Sequence, residues 1–259
     1  MITSTSNQQV RQLIQFNKKR KLRDEQGVFV AEGLKMFQEA PRDRLKKVYF
    51  SESCFLQLKD SSALQSLNYE VMEDRVFQAV SDTQTPQGVL CVVQRRDWSL
   101  KELLDTESPM LLLLENLQDP GNLGTILRTA EGAGASGVIL TKGCVDLYNP
   151  KTIRSTMGSV YRVPTYYTED AMQTLDELHR HGIRSYAAHL QGKNSYDEEK
   201  YCGGTVFLIG NEGNGLSEEL SGKAQTRIRI PMEGKLESLN AGVAASLLMY
   251  ETYRQRRKL

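Results

Sequence analysis

The sequence lacks the features that mark secreted, membrane-spanning and metal-binding proteins. It has four cysteines and no C-x-x-C pair, which favours reduced thiols in a cytoplasmic protein over a disulfide framework. The N-terminus has no apolar core of a signal peptide, and an apolar run such as Met110–Leu114 is far too short to span a bilayer. The three histidines lack metal-ligand spacing. We therefore expect a cytoplasmic protein without a membrane segment or a metal site.

The sequence also has almost no net charge, but its charges are unevenly distributed. The formal net charge is +1, from 33 Lys and Arg against 32 Asp and Glu. Residues 1–50 hold eleven Lys and Arg against five Asp and Glu, a net of +6, and the remainder holds 22 against 27, a net of −5. Much of the excess lies in KKRKLR (Lys18–Arg23) and RDRLKK (Arg42–Lys47). This asymmetry favours a polyanion partner, and a solvated helix face is the alternative.

The pattern of strands and helices divides the chain into two regions. In the first, short candidate strands alternate with helical stretches, which indicates a small α/β domain. Its strands are predicted at 27–31, 47–51 and 88–93. A polar stretch that ends in Pro109 indicates a linker. The predicted division is a first domain at 1–97, a linker at 98–108 and a second domain at 109–259.

The second region alternates strands with helices, which is typical of a parallel sheet covered on both faces. MLLLLEN (Met110–Asn116) is a continuous apolar run, as expected of a strand buried on both sides. Thr168 is the predicted N-cap of a helix that ends at Gly182. Further strands are predicted at 137–140, 183–190, 205–210 and 226–231, followed by a last helix at about 239–256.

The residue pattern of a dinucleotide-binding fingerprint occurs in the sequence, but not in the structural context that the fingerprint requires. Gly132, Gly134 and Gly137 spell G-x-G-x-x-G, but here a helix precedes the glycines and a strand follows them, the reverse of the required order. The phosphate-binding pattern G-x-x-x-x-G-K-[ST] does not occur in the sequence. A nucleotide-dependent kinase or dehydrogenase is therefore disfavoured.

Three segments rich in glycine and amide side chains follow predicted strands. Because the carboxyl ends of parallel strands meet at one sheet edge, where such folds bind ligands, we predict a small-molecule pocket there. Each segment alone is also explained by turn chemistry, with Asn122 and Ser238 as helix N-caps. The segments are ENLQDPGNLGTILR, IGNEGNGLSEEL and IPMEGKLESLNAGVAASLLMYE.

These segments resemble the three motifs of the SpoU (TrmH) family of RNA ribose 2′-O-methyltransferases, in the SPOUT superfamily. The matching stretches are DPGNLGTILRTAEGAGASGVIL, LIGNEGNGL and IPMEGKLESLNAGVAASLLMYE. The first half also resembles the substrate-binding domain of many members, in KKRKLRDEQGVFVAEGLKMFQEA and SDTQTPQGVLCVV. One departure is Ala241, where valine is common in the family.

The resemblance implies both a fold and a chemistry. The fold is an α/β parallel sheet with helices on both faces and a C-terminal trefoil knot, preceded by a small α/β RNA-binding domain. The methyl donor is S-adenosylmethionine, bound in the knot through backbone groups of Gly210, Ile230 and Leu239. The acceptor is a ribose 2′-hydroxyl, in ribosomal RNA rather than transfer RNA because the chain has a folded N-terminal domain.

The catalytic residues that the resemblance implies are Arg128, Asn122, Glu212, Ser238 and Asn240. An arginine has been assigned the role of base in this family, but neutralising a guanidinium at pH 7 costs roughly 8 kcal/mol. We therefore expect Arg128 to hold the acceptor phosphate and the developing alkoxide, with the base left open. The expected RNA-binding residues are Lys18, Lys19, Arg20, Lys21 and Arg23.

The resemblance further implies a homodimer formed through the knotted domain. The last predicted helix offers an apolar stripe of Val243, Leu247 and Tyr250, with Leu248 to its side. Two alternatives to the ribosomal-RNA enzyme remain open: a transfer-RNA 2′-O-methyltransferase, and a non-enzymatic RNA-binding assembly factor. The second would explain the basic N-terminal half but not three motif segments with their polar residues.

Overall fold

The computed structural model describes residues 1–236 and 238–257, which fall into two compact units. The first unit comprises Met1–Arg96 and Asp146–Tyr161, and the second comprises Asp97–Val145 and the chain from Arg162 onward. Residues 146–161 thus belong with the first unit, although the sequence-based division assigns them to the second domain. Among the described residues, the helices are too short or too polar to cross a membrane.

Strands and helices alternate along most of the described chain. The strands are β1 (Val28–Glu32), β2 (Leu45–Ser51), β3 (Tyr69–Met72), β4 (Val89–Gln94), β5 (Met110–Leu114), β6 (Gly137–Thr141), β7 (Thr165–Thr168), β8 (Arg184–Ala188), β9 (Asn194–Ser195), β10 (Thr205–Ile209) and β11 (Thr226–Arg229). The α-helices are α1 (Gln8–Lys18), α2 (Arg20–Gln26), α3 (Leu34–Glu39), α4 (Glu52–Leu58), α5 (Asp74–Val80), α6 (Leu100–Leu103), α7 (Pro120–Ala133), α8 (Pro150–Thr156), α9 (Ala171–Arg180), α10 (Glu218–Lys223) and α11 (Ala241–Arg256).

The first unit is built on a mixed sheet in the order β1-β4-β2-β3. Strand β4 is antiparallel to β1 and β2, whereas β2 and β3 run parallel. Apolar residues at helical spacing on α1, Val10, Leu13 and Phe16, are buried together with Phe77 and Val80 of α5 in one core. Burial of these side chains is the main force that holds the two helices to the sheet.

Residues 146–161 are anchored in the first unit by two aromatic side chains. The ring of Tyr148 stacks on Phe29, with ring centroids 4.9 Å apart. The hydroxyl of Tyr161 donates a hydrogen bond to the carbonyl of Met36 at 3.0 Å. A local sequence pattern cannot reveal such contacts, because the partners lie more than a hundred residues earlier in the chain.

The second unit contains a parallel sheet in the order β7-β6-β5-β10-β8-β11-β9, which confirms the predicted α/β class. All residues of β5 are buried, as its continuous apolar run predicts. Leu175 and Leu178 of α9 pack with Leu113 and Val206 in one core. Leu111 of β5 lies in the same core, and because successive side chains of a strand point to opposite faces, Met110, Leu112 and Leu114 face away from α9. Helices α7 and α11 pack together and contact the sheet at β5, β6 and β10.

The start of α9 differs from the sequence-based prediction. Asp170 is the N-cap, and its carboxylate accepts hydrogen bonds from the amides of Met172 and Gln173 at 2.9 and 3.0 Å. The prediction of Thr168 as the N-cap was wrong, because that residue completes β7 and its hydroxyl bonds to Asp170 and Thr174 instead. At the other end of the helix, Gly182 takes φ 74°, as expected of a helix terminator.

Candidate active site

A cavity of about 940 Å³ lies at the carboxyl ends of β8, β10 and β11 in the second unit. Parallel α/β sheets bind ligands at this edge. The residues predicted to bind the cofactor line the cavity, as do three of the predicted catalytic residues. These are Gly210, Ile230 and Leu239 in the first group and Glu212, Ser238 and Asn240 in the second.

The three motif segments contribute unequally to the cavity at this sheet edge. The second and third segments line the cavity, but among the described residues the first segment contributes none of the lining. Its place is taken by residues 188–191, at the end of β8, for which the sequence carried no motif. The first segment instead meets the cavity loop through hydrogen bonds.

The loop Gly210–Leu216 is a tight backbone cradle on one side of the cavity. The amide of Asn211 donates to the carbonyl of Gly215 at 3.0 Å, and the amide of Gly215 donates to the carbonyl of Asn211 at 2.9 Å. Gly215 adopts φ +68°, and a Cβ on Gly210 would lie 2.1 Å from the carbonyl carbon of Gly215. The loop therefore needs glycine at both positions, once for its conformation and once for close approach.

Glu212 ties this cradle to the start of α7. Its Oε1 accepts hydrogen bonds from Asn122 Nδ2 and the amide of Asp119, both at 2.9 Å, and Oε2 accepts from the amide of Gln118 at 3.0 Å. Burial raises the pKa of Glu212, but the hydrogen bonds from Asn122 and these two amides outweigh it and lower the pKa below its usual range. Glu212 is therefore an ionised carboxylate whose oxygens are engaged by fixed donors.

Asn122 lies inside the first turn of α7 and is 7% exposed. The prediction that it caps the helix was wrong: Asp119 is the N-cap and accepts from the amide of Asn122 at 2.8 Å. Aspartate followed by Pro120 at the first helical position is a strong start signal, which frees the Asn122 side chain for longer-range bonds. Asn122 Oδ1 accepts from Asn240 Nδ2 at 2.8 Å.

Asn240 is the N-cap of α11, and its Oδ1 accepts from the amides of Gly242 and Val243 at 2.9 and 3.2 Å. Ser238, which the sequence offered as a cap, has no capping role and is an exposed residue of the cavity lining. Side-chain hydrogen bonds thus run from Glu212 through Asn122 to Asn240 and join the three motif segments.

Arg128 lies on α7 two turns beyond this network, and its side chain is exposed. Within residues 1–236 and 238–257, its guanidinium has no hydrogen-bond or ion-pair partner. An exposed arginine with its fork of donors uncommitted is suited to binding a phosphate or carboxylate of an incoming molecule.

Four of the five predicted RNA-binding residues are exposed at the junction of α1 and α2: Lys18, Lys19, Arg20 and Lys21. Two of them form ion pairs one helical turn away. Arg20 lies 3.5 Å from Asp24, and Lys21 lies 3.8 Å from Glu25. Exposed pairs of this kind are weak, so they leave the lysines and arginine accessible to an anionic partner.

Arg23 is not available to RNA, and its prediction as a binding residue was wrong. The residue is only 4% exposed. Its guanidinium forms an ion pair with Asp146 and donates to the carbonyl of Phe16, so that it stabilises the first unit. Position in a basic run could not show this, because Asp146 lies 123 residues away in the chain.

Residues outside the predicted site set also hold the motif loops in place. Asn211 Nδ2 donates to the carbonyl of Asn116 at 2.8 Å, and Asp119 caps α7. The pair Asp119-Pro120 is a recognisable helix-start signal, whereas nothing local marks Asn116. No group of three or more His, Cys, Asp or Glu side chains in the described part of the chain could hold a metal ion.

The fold and the cavity are those of an α/β protein whose loops form a small-molecule pocket at the edge of a parallel sheet. Residues 109–250 match the model of the SpoU rRNA Methylase family, and residues 7–91 match the MRM3-like substrate binding domain. The chain therefore belongs to the SpoU rRNA methylase family. This confirms the family to which the three motif segments pointed.

The chain also resembles individual proteins over nearly its full length. It is 32% identical to RlmP of Bacillus subtilis, named a 23S rRNA (guanosine(2553)-2′-O)-methyltransferase, over 96% of this chain and 97% of that protein. It is 29% identical to human mitochondrial rRNA methyltransferase 3, over 93% and 70% of the two chains. The AdoMet-bound rRNA methyltransferase of Sinorhizobium meliloti superposes with a TM-score of 0.84 at 32% identity. The match covers 98% of this chain and 97% of that one.

Proposed function

We propose that this protein transfers the methyl group of S-adenosylmethionine to a ribose 2′-hydroxyl of ribosomal RNA. The observation that carries the proposal is the cavity lined by the second and third motif loops and tied to the first by Glu212 and Asn122. The names of the relatives support it, since RlmP is a 2′-O-methyltransferase of 23S rRNA and the Sinorhizobium meliloti structure contains AdoMet.

The cavity suits S-adenosylmethionine in size and in the groups it presents. Its volume of about 940 Å³ lies within the roughly 300–1,000 Å³ of small-molecule sites. Gly210, Ile230 and Leu239 line the wall and would bind the donor through backbone amides and carbonyls. The close approach of Gly210 to Gly215 leaves no room for a side chain and keeps that backbone at the cavity wall. The bound donor supplies an electrophilic methyl group on its sulfonium.

In this proposal Arg128 binds the phosphate next to the acceptor ribose and stabilises the developing charge on the 2′-oxygen. Its exposed, uncommitted guanidinium suits that role. Deprotonating an arginine side chain at pH 7 costs roughly 8 kcal/mol in general, so an arginine is a poor base. The proton of the 2′-hydroxyl therefore passes to a water molecule or to another group, and the exposed Ser238 lines the cavity wall.

Glu212, Asn122 and Asn240 position the groups around the reaction. Glu212 is ionised and engaged by three donors, so its role is to orient Asn122 rather than to accept a proton. Asn122 in turn orients Asn240, which holds the first turn of α11 beside the cavity. Alignment of the acceptor with the donor is where an enzyme of this type gains much of its rate.

The first unit binds the RNA, with Lys18, Lys19, Arg20 and Lys21 as phosphate contacts. Residues 7–91 match a substrate binding domain, which supports this role. The fold also matches a solved structure from work on the 2-OH methylation of C/U34 on tRNA, and the match covers 99% of that chain but only 59% of this one, with a TM-score of 0.54. That protein has no counterpart of a large part of this chain, which favours ribosomal RNA over transfer RNA here.

The proposal includes the trefoil knot of the C-terminal domain, a homodimer and a cytoplasmic location. Family membership supports the knot. Exposure of an apolar stripe on α11 supports the dimer: Val243 is 46%, Leu247 36% and Tyr250 49% exposed, whereas Leu248 is fully buried. The free thiols of all four cysteines support a reducing compartment.

The function is tested by mapping 2′-O-methyl groups in total RNA from cells with and without the gene, and by calorimetry of the full chain with S-adenosylmethionine. We expect loss of a methyl group from ribosomal RNA and measurable binding of the donor without added metal. Loss of a transfer-RNA methyl group instead would favour the second substrate. A folded protein that binds neither the donor nor its demethylated product would favour the assembly factor.

A further inference from the structure

One residue at the end of β5 bonds to both ends of the loop Gly210–Leu216. The backbone amide of Glu115 donates to the carbonyl of Ile209, immediately before the loop, at 2.8 Å. Its carboxylate accepts two bonds from Ser217, immediately after the loop: from the amide at 2.7 Å and from the hydroxyl at 2.8 Å. The half-buried Glu115 therefore sets the separation of the two loop ends.

We propose that Glu115 is a positioning residue for the methyl donor. This inference rests on the proposed function of the cavity. Among the described residues, Glu115 is not part of the cavity wall, and it acts through Ser217, whose neighbours Leu216 and Glu218 both line the cavity. A loop whose ends are held in place has fewer conformations to lose when a ligand binds. The Glu115 carboxylate thus lowers the entropic cost of binding the donor.

The start and the end of the loop are held by different side chains. Asn211 and Glu212 bond to the segment around Asn116 and Asn122 and hold the start. Glu115 holds the end, so its removal should loosen the Leu216 side of the cradle while the start stays in place. The effect expected is weaker ligand binding in a folded protein rather than unfolding.

The chemistry of the Glu115–Ser217 contact explains why a carboxylate is needed. Ser217 is the N-cap of α10, and its hydroxyl accepts from the amide of Leu220 at 3.2 Å while donating to Glu115. Both groups of Ser217 that face Glu115 are donors, and an ionised carboxylate accepts both. A neutral glutamine has one acceptor oxygen and a donor in place of the other, so Glu115→Gln should weaken both bonds by removing the charge and lose one of the two acceptors.

The chain contains a matched control for this contact. The amide and hydroxyl of Ser99 both donate to Glu102 Oε2 at 2.8 Å, in a capping box at the start of α6. This pair also joins the amide and hydroxyl of a serine to a glutamate, and it is not among the described residues that line the cavity. Both of its bonds share one oxygen, which a glutamine could supply, so the control substitution is Glu102→Ala. It reports the stability cost of losing such a contact without a change at the ligand site.

The experiment uses full-length protein, calorimetry with S-adenosylmethionine and S-adenosylhomocysteine, and thermal unfolding without ligand. We expect Glu115→Gln to raise Kd for both ligands about tenfold, and Ser217→Ala to raise it in the same direction. Glu102→Ala should lower Tm and leave Kd unchanged. KM for the donor should rise in Glu115→Gln, with kcat at saturating donor close to wild type.

Two outcomes would overturn the inference: wild-type Kd in both Glu115→Gln and Ser217→Ala, or an equal rise of Kd in Glu102→Ala, which would mark a general loss of stability. Failure of the wild-type protein to bind either ligand would instead overturn the proposed function of the cavity. The two failures are therefore distinguishable in one set of measurements.

Discussion

The two units of this protein use their polar residues in opposite ways. In the second unit, Glu212, Asn122 and Asn240 are bonded to one another and hold three segments around a cavity. In the first unit, the charges at the junction of α1 and α2 are exposed, and the ion pairs among them span a single helical turn. A fixed network suits one small ligand, whereas solvated charge suits a polyanion that is held by many weak contacts. The comparison implies that catalysis and RNA affinity can be separated by mutation.

Two arginines show that residue type alone does not predict whether a side chain supports the fold or is exposed for binding. Arg23 lies in a basic run but is buried and paired with Asp146, so it supports the fold. Arg128 lies on an otherwise well-packed helix, yet its guanidinium is exposed and has no partner among the described residues. Of these two arginines, the one whose guanidinium is open to solvent is Arg128, although only Arg23 lies in the basic run.

The largest effect is expected at Arg128. Arg128→Ala should lower the rate of methyl transfer by about 10²–10³, because the proposed contact strengthens in the transition state, and leave Kd for S-adenosylmethionine unchanged. Arg128→Lys should recover little, since an ammonium cannot reproduce the planar fork. Single-turnover methylation at saturating RNA measures the rate. A near wild-type rate for Arg128→Ala would remove this residue from the mechanism. It would also contradict the assignment of its catalytic role to the second unit.

A smaller effect is expected from the exposed charges of the first unit. Replacing Lys18, Lys19, Arg20 and Lys21 by glutamine should weaken RNA binding and flatten its salt dependence, because each lost phosphate contact removes roughly 0.7–0.9 from the log–log slope. Kd for the donor should not change. Filter binding across a salt series measures the slope, with Lys101→Gln on α6 as the control for loss of charge. An unaltered slope would show that the run is only solvated surface.

The smallest effect concerns the pH dependence of stability at Glu212. Its pKa in the folded protein lies below its usual value, so its contribution to stability is present above the unfolded-state pKa of about 4.3 and is lost as the pH falls through the folded value. Glu212→Gln should therefore be less stable than wild type at neutral pH, with the difference narrowing in acid. Urea unfolding at several pH values measures it. A difference that is constant with pH would mean that the charge of Glu212 does not stabilise the fold.

The sequence by itself determined the class of fold and the location of the site. The apolar run of β5 and the alternation of strands with helices predict a parallel sheet, because burial on both faces imposes a pattern that short stretches of sequence carry. Glycines and amide residues after successive strands predict loops at one sheet edge, since a positive φ or a close backbone approach selects for them locally, as at Gly210 and Gly215.

Only the tertiary structure decided which polar groups meet. Asp119 rather than Asn122 caps α7, and Asn122 is thereby free to join Glu212 to Asn240 across the sheet edge. Arg23 finds Asp146 because residues 146–161 pack into the first unit. A side chain bonds whichever group the folded chain brings within about 3 Å, and partners a hundred residues apart leave no periodic trace in the sequence. Burial patterns are local and can be predicted, whereas the choice of hydrogen-bond partner depends on the completed fold.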